Sequence, residues 1–248
     1  MYEDIEKKFW LNIKYEVNKL IKEESILYNF YFNNILKHKN FINCISYILS
    51  KKIDNKFLSS LVFRKLIKKI LLKKKSLIYS IIQDIKFIYN NDPVVKLYIV
   101  PLLYFKGFHA LQIYRISNYL WVNKRKSLAL YLQNQISNFF SIDIHPAAII
   151  GSGIFLDHAT GIVIGETTII HNNVFILQGV TLGSVGKNNN KIRHPKICEG
   201  VFIGAGAKIL GNITIGSFSK VGAGAVVLSS VLPYSTVVGI PAKKVIKV

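Results

Sequence analysis

The stretch LDHATG (156–161) sets Asp157 and His158 side by side in a region otherwise filled by aliphatic residues and glycine. A neutral imidazole is the usual general base near neutral pH, and it works best when a carboxylate fixes its tautomer and stabilises the imidazolium. Asp143, fifteen positions earlier, is the candidate for that carboxylate. A second chemical pair, Arg193 and His194, lies in KNNNKIRHP (187–195). A guanidinium grips a carboxylate through a bidentate fork, and Arg193 is one of only four Arg among 33 basic residues, so it stands out in a chain that otherwise uses Lys. Asp157 and Asp92 have the charge to hold an ammonium.

The elements that must position these residues change character along the chain. Residues 1–140 read as helices: Ile78, Ile81, Ile82, Ile85 and Ile88 recur at helical spacing, as do Phe41, Ile42, Ile45, Ile48 and Leu49. RKLIKKILLKKK (64–75) keeps Leu66, Ile67, Ile70 and Leu71 on one face, so its lysines read as a solvated face. NNDP (90–93) breaks the pattern, because Pro93 disfavours a helical Asp92. A second helical block runs from about Leu102 to Phe140, with a break near Asn123.

After Asp143 the period becomes six. Ile144, Ile150, Leu156 and Ile162 begin the series, which restarts two residues late as Ile164, Ile170, Ile176 and Leu182. A loop intervenes, and Ile197, Ile203, Ile209, Ile215, Val221 and Val227 continue it. A fixed short period marks a solenoid: each step makes one flat strand and one corner, the aliphatic points inward, and three steps close a coil of about eighteen residues. Glycines such as Gly151, Gly165, Gly204 and Gly222 fall at the corners. His158, two residues after the inward Leu156, then sits at a corner open to solvent, and Asp143, nearly one coil earlier, can stack beside it. The expected fold is α+β in two parts: an α-helical domain (1–140), then a parallel β-helix (141–248) with a loop extruded over 184–196, which reads as an active-site arm.

The formal charge of +20 raises the question of a polyanionic partner. The composition argues against one: only four of the 33 basic residues are Arg, and Lys, Asn and Ile are abundant throughout, as compositional bias would produce; the charge is also uneven, with 24 Lys and Arg against 9 Asp and Glu in residues 1–140 and 9 against 4 in residues 141–248. Neither nucleic acid nor membrane is expected as a partner, beyond steering of an anionic ligand. Cys44 and Cys198 are too isolated for a disulfide framework or a zinc site, and suggest a reducing, cytoplasmic setting. MYEDIEKKFW has no apolar targeting core, and LYIVPLLYF (97–105) is half the length of a membrane span.

The blocks DIHPAAIIGSGIFLDHATGIVIGET, RHPKICEGVFIGAGAKILGNITIG and PLLYFKGFHALQIYRI resemble serine O-acetyltransferases of the hexapeptide-repeat acyltransferase superfamily, over about Asp92 to Pro241. The resemblance implies a left-handed β-helix and transfer of acetyl from acetyl-CoA to the L-serine hydroxyl, giving O-acetylserine for cysteine biosynthesis. It implies His158 as general base with Asp143 as its partner, and residues matching Asp92, Asp157, His158, Arg193 and His194 lining a serine site that also takes cysteine as inhibitor. It implies acetyl-CoA and no metal, with the coenzyme between adjacent β-helices of a trimer: Gly183, Ala205, Gly206 and Ala223 where backbone can approach the pantetheine arm, and Lys220, Lys243 and neighbouring Lys244 for phosphates. It further implies a homotrimer or a hexamer built as a dimer of trimers, joined through the helices.

Other readings remain on the residues alone. A hexapeptide acetyltransferase acting on homoserine or a sugar shares the frame, although Asp92, Asp157 and Arg193 favour an α-amino acid. A zinc hydratase on the same fold would use three of His145, His158, His171 and His194, and a basic scaffold would bind DNA without chemistry. His145 and His171 read as corner surface residues, Glu166 as a site orienter or a solvated acid, Cys198 as a packing residue, and His109 as a packing or interface group. Ser184 stands where relatives commonly have a second glycine after Gly183, and the loop before Arg193 is one residue longer. The chain ends after GIPAKKVIKV, without the tail that docks relatives to the sulfhydrylase, so a tight complex of that kind is not expected.

Overall fold

The computed structural model describes residues 2–54, 58–186 and 192–244. The middle of the arm expected over 184–196, and the last four residues of the chain end on which the sulfhydrylase expectation rests, lie outside them. The chain divides into two compact units at Phe105/Lys106, whereas the change from helix to strand comes after Phe140. The two boundaries differ because the last two helices pack on strands. Among the described residues no helix is long and apolar enough to cross a membrane.

The first unit holds α1 (Tyr2–Glu23), a 3₁₀ turn (Ser25–Leu27), α2 (Tyr28–Tyr31) running into a π turn (Phe32–Leu36), α3 (Phe41–Lys52), α4 (Ser60–Lys73), α5 (Ser76–Asn91) and α6 (Ile99–Tyr104). Ile13, Ile45, Leu49, Ile67, Leu71 and Ile85 are essentially fully buried, which is the helical periodicity realised as packing. The Asn40 side chain caps α3 by accepting from Asn43 N–H at 3.0 Å. The α4 lysines Lys65, Lys68, Lys69 and Lys73 are exposed. α5 stops at Asp92, whose Oδ1 accepts from Val94 N–H at 2.9 Å, fixing the turn that Pro93 forces. Glu16 of α1 accepts from the backbone N–H groups of Tyr98 and Ile99 at 3.1 and 2.9 Å, and so caps α6.

The second unit begins with α7 (Lys106–Val122) and α8 (Lys126–Phe140), which ends on Ser141 in the left-handed region at φ 57°. A first coil follows: β1 (Asp143–Ile144), β2 (Ile149–Ile150), β3 (Phe155–Leu156). The second is β4 (Val163–Ile164), β5 (Ile169–Ile170), β6 (Phe175–Ile176), and the third β7 (Thr181–Gly183), β8 (Lys196–Ile197), β9 (Phe202–Ile203). The fourth is β10 (Lys208–Leu210), β11 (Thr214–Ile215), β12 (Lys220–Val221); β13 (Val226–Val227), β14 (Thr236–Val238) and an antiparallel closing strand, β15 (Lys243–Lys244), end the stack.

The coils stack into three parallel sheets of five, four and six strands, with only β15 reversed. Ile144, Ile164, Leu182, Ile209 and Val227 form one inward column; Leu156, Ile176, Ile203, Val221 and Val237 form another. Each is buried, so the six-residue anchors are the interior of the prism. The fold is a left-handed β-helix behind an α-helical region, as expected.

Register exposes three irregularities. Corresponding strands advance by 18 positions from 163 to 181 and from 208 to 226, but by 20 from 143 to 163, by 27 from 181 to 208 and by only 16 from 220 to 236. The first excess falls between β3 and β4, at the LDHATG corner. The second is the arm that ends in Arg193-His194.

Candidate active site

Two extra residues at the first corner have to bulge outward, because the strands on either side remain in register. His158 and Ala159 take them up, both in the left-handed region at φ 52° and 62°. That conformation is costly for residues with a Cβ, and persists only where the surroundings enforce it. Here Ala159 N–H donates to the Asp157 carbonyl and Thr160 N–H to the His158 carbonyl (2.9 Å), while Gly161 N–H donates to Ser141 O at 2.7 Å. α7 backs the bulge. A Cβ on Gly107 would collide with the Leu156 carbonyl and press on Ala159, and the Lys106 ammonium donates to Thr160 Oγ1.

The bulge carries the His158 side chain into solvent, 73% exposed, with Nε2 at 3.9 Å from Asp157 Oδ2. Asp143 is on the outward face of β1, beside Val163. Its Oδ1 accepts from Gln133 Nε2 of α8 at 2.7 Å. The carboxylate within 4 Å of His158 is Asp157, at a separation longer than a hydrogen bond, and Asp143 Oδ1 is held by Gln133, a residue the sequence did not point to.

The second site lies one corner further round, between the five- and four-stranded sheets. Thr167 organises it: its Oγ1 accepts from the backbone N–H groups of Arg193 and His194, each at 3.1 Å. Thr167 N–H donates to His194 Nδ1 at 3.2 Å, and the hydroxyl lies 2.9 Å from the same nitrogen. Nδ1 is thus an acceptor, and the neutral ring carries its proton on Nε2. Burial, reinforced by the Arg193 charge, lowers the His194 pKa, which favours that neutral form. Gly165 makes the seat possible, because any Cβ there would fall inside the imidazole.

Arg193 donates to Glu166 Oε2 at 2.7 Å, so Glu166 is the orienter that its sequence position left open. His145 faces the same corner. Its ring meets Trp121 edge-on at 5.1 Å, its Nδ1 accepts from Ala147 N–H, and burial lowers its pKa against the pull of Glu166 and Asp143. His171 is exposed, and among the described residues no group of His, Cys, Asp and Glu is placed to hold a metal.

The cofactor candidates divide in the same way. Ala205, Gly206 and Ala223 lie on the corner below His158, since the register Leu156–Ile176–Ile203–Val221 stacks them there. Gly183 belongs to the other corner, one coil beyond Gly165. Lys220 and Lys243 are exposed on the last strands of the six-stranded sheet. Asp92 belongs to the first unit. Thr167, Gln133 and Gly107 drew no reading of their own from the sequence, and Gly165 only one as a corner glycine, because each acts across coils or between a helix and a coil.

Residues 9–113 match the family described as serine acetyltransferase, N-terminal, and residues 194–229 match the bacterial transferase hexapeptide repeats. The chain is 54% identical over 241 residues to the serine acetyltransferase of Buchnera aphidicola subsp. Acyrthosiphon pisum, covering 97% of this chain and 88% of that one. A serine acetyltransferase solved in complex with cysteine superposes with a TM-score of 0.93 at 51% identity, over 96% of this chain and 98% of that one. Another, in complex with CoA, gives 0.92 at 50% identity, over 97% and 100%. On these matches, which extend over nearly the whole of this chain and most of its relatives, the chain belongs to the serine acetyltransferase family.

Proposed function

We propose that the chain transfers acetyl from acetyl-CoA to the hydroxyl of L-serine, with His158 as general base. The single observation that carries this reading is the bulge: two residues added to a periodic corner, at a backbone cost, project one imidazole beside a carboxylate. The serine hydroxyl gives its proton to His158 as its oxygen attacks the thioester carbon. The tetrahedral intermediate collapses with cleavage of the C–S bond, and the imidazolium returns the proton to the leaving thiolate, giving O-acetylserine and CoA. Asp143, with one oxygen tethered by Gln133, offers the other to the imidazole once His158 turns toward β1. Asp157 and Asp92 take the serine ammonium, Arg193 its carboxylate, and neutral His194 donates through Nε2.

The β4 side of the coil separates His158 from Arg193 and His194, and serine is too short to bridge it. Gly183 and Ala205 are separated likewise. A homotrimer resolves this, with the His158 corner of one chain facing the Arg193 corner of the next, and pantetheine lying between Gly183 of one and Ala205, Gly206 and Ala223 of the other. Lys220 and Lys243 suit the phosphates. Hexamers, inhibition by cysteine at the serine site, and a cytoplasmic setting complete the proposal; the unpaired thiols of Cys44 and Cys198 suit a reducing compartment.

Thiol release from acetyl-CoA across a panel of acceptors tests the reading. Serine is expected to be the preferred acceptor, and Arg193→Lys to raise its KM about tenfold with little change in kcat, since a bidentate clamp becomes a point charge. Turnover independent of serine, or an unchanged serine KM, would overturn it.

A further inference from the structure

Acyl transfer needs a donor for the charge that develops on the thioester oxygen, and none of the residues assigned above is given that role. The corner below His158 holds one candidate side chain. Gln178 follows β6 at the position where β3 carries His158, and the columns beneath continue as Ala205 and Ala223. Its backbone is pinned: Gly206 N–H donates to Gln178 O at 2.8 Å, Gly179 N–H to Thr160 O of the bulge at 2.8 Å, and the Lys208 ammonium to Gly179 O at 2.5 Å. Its carboxamide is not. Oε1 is buried with no hydrogen-bond partner, and the side chain makes no hydrogen bond within the described residues. Of the other polar side chains beside this corner, Lys208 donates to Gly179 O, and Thr160 Oγ1 accepts from the Lys106 ammonium.

A carboxamide with no partner of its own, carried on a held backbone one coil from the general base, is free to turn its N–H toward a reacting group. We infer that Gln178 is a catalytic residue whose carboxamide N–H donates to the acetyl thioester oxygen, polarising the carbonyl in the ground state and stabilising the oxyanion of the tetrahedral intermediate. The inference rests on the proposed acetyl transfer with pantetheine running down this corner. No bond is made or broken at Gln178. The rival donors are backbone N–H groups of the same corner, such as those of Gln178 and Ala205, and side-chain substitution leaves these in place.

The test uses the full-length enzyme. Gln178→Ala is expected to lower kcat about 10²-fold, the usual effect of removing one oxyanion donor, with the serine KM and the Kd for CoA within about twofold. Gln178→Glu, which replaces the donor by a like charge, should lower kcat further. A spectroscopic arm is independent of turnover. Acetyl-CoA labelled with ¹³C at the carbonyl, bound to His158→Ala, should show its stretch at lower frequency than in water, and the added Gln178→Met should abolish that shift. An unchanged kcat in Gln178→Ala, or a carbonyl shift that survives Gln178→Met, would overturn the inference and leave the oxyanion to the backbone; a loss confined to CoA affinity would also overturn it, making Gln178 a pantetheine binder. Failure of the underlying reading would look different: His158→Ala would then retain full turnover.

Discussion

Two histidines stand on neighbouring corners of one β-helix, and they are held in opposite ways. His158 is 73% exposed, sits on a backbone bulge with positive φ, and has one carboxylate at 3.9 Å. His194 is buried, its tautomer is set by Thr167, and a glycine is spent to seat its ring. The first has its backbone fixed and its side chain open to solvent. The second has its ring immobilised, as suits a group that binds. A solenoid lets both coexist, because an insertion at one corner leaves the register of the neighbouring sheets intact.

That contrast can be broken at either end. His158→Ala should have the largest effect, lowering kcat by about 10³-fold, within the range for a positioned base, while the melting temperature stays within about a degree, because an exposed side chain contributes little to packing. Activity surviving this change would dissolve the distinction. Gly165→Ala should do the reverse: a Cβ inside the His194 ring forces a rearrangement that costs about 1–3 kcal/mol, seen as a lower denaturation midpoint together with a raised serine KM. Thr167→Val, which removes the hydroxyl shared by Arg193 and His194, should raise the serine KM about tenfold through loss of positioning, leaving kcat within a few-fold.

The smallest effect concerns pH. His194 and His145 are both held neutral, with pKa values below the ordinary 6.5. As pH falls below about 6.5 the unfolded chain takes up these protons before the folded one does, so stability is full above that value and declines beneath it. The melting temperature should therefore drop between pH 6.5 and 5, and His194→Gln should make the drop shallower. An unaltered slope would mean that the His194 seat does not discriminate against the imidazolium.

Much of this was legible before any coordinates. The anchors from Ile144 to Val227 specified the prism, since an aliphatic at every sixth position has one way to be buried in a triangular coil. The two-residue delay before Ile164 and the gap before Ile197 located both insertions. The helical block expected from about Leu102 to Phe140 gained a break at Phe105, where α6 ends and α7 turns to pack Gly107 against Leu156. Nothing in FKGFHAL announced that contact, because a glycine needed for close approach reads like any other.

The partners of the site residues were the least legible part. Asp143 was paired with His158 on spacing, whereas its carboxylate lies with Gln133 and the imidazole lies nearer Asp157. Glu166 looked as much like a solvated acid as an orienter until Arg193 met it across 27 positions. Gln178 drew no notice in LQGVTLG, where it reads as one more repeat position.

The sequence by itself determined the periodic frame, the family and the residue types that do chemistry, because those depend on spacing along the chain and on composition at each step. Only the tertiary structure decided which corner each residue occupies, which imidazole is exposed and which is held, and which polar group is left without a partner. Those properties arise from register between coils 18 to 27 positions apart and from a helix pressed against a bulge, and such contacts leave no periodic trace in the chain.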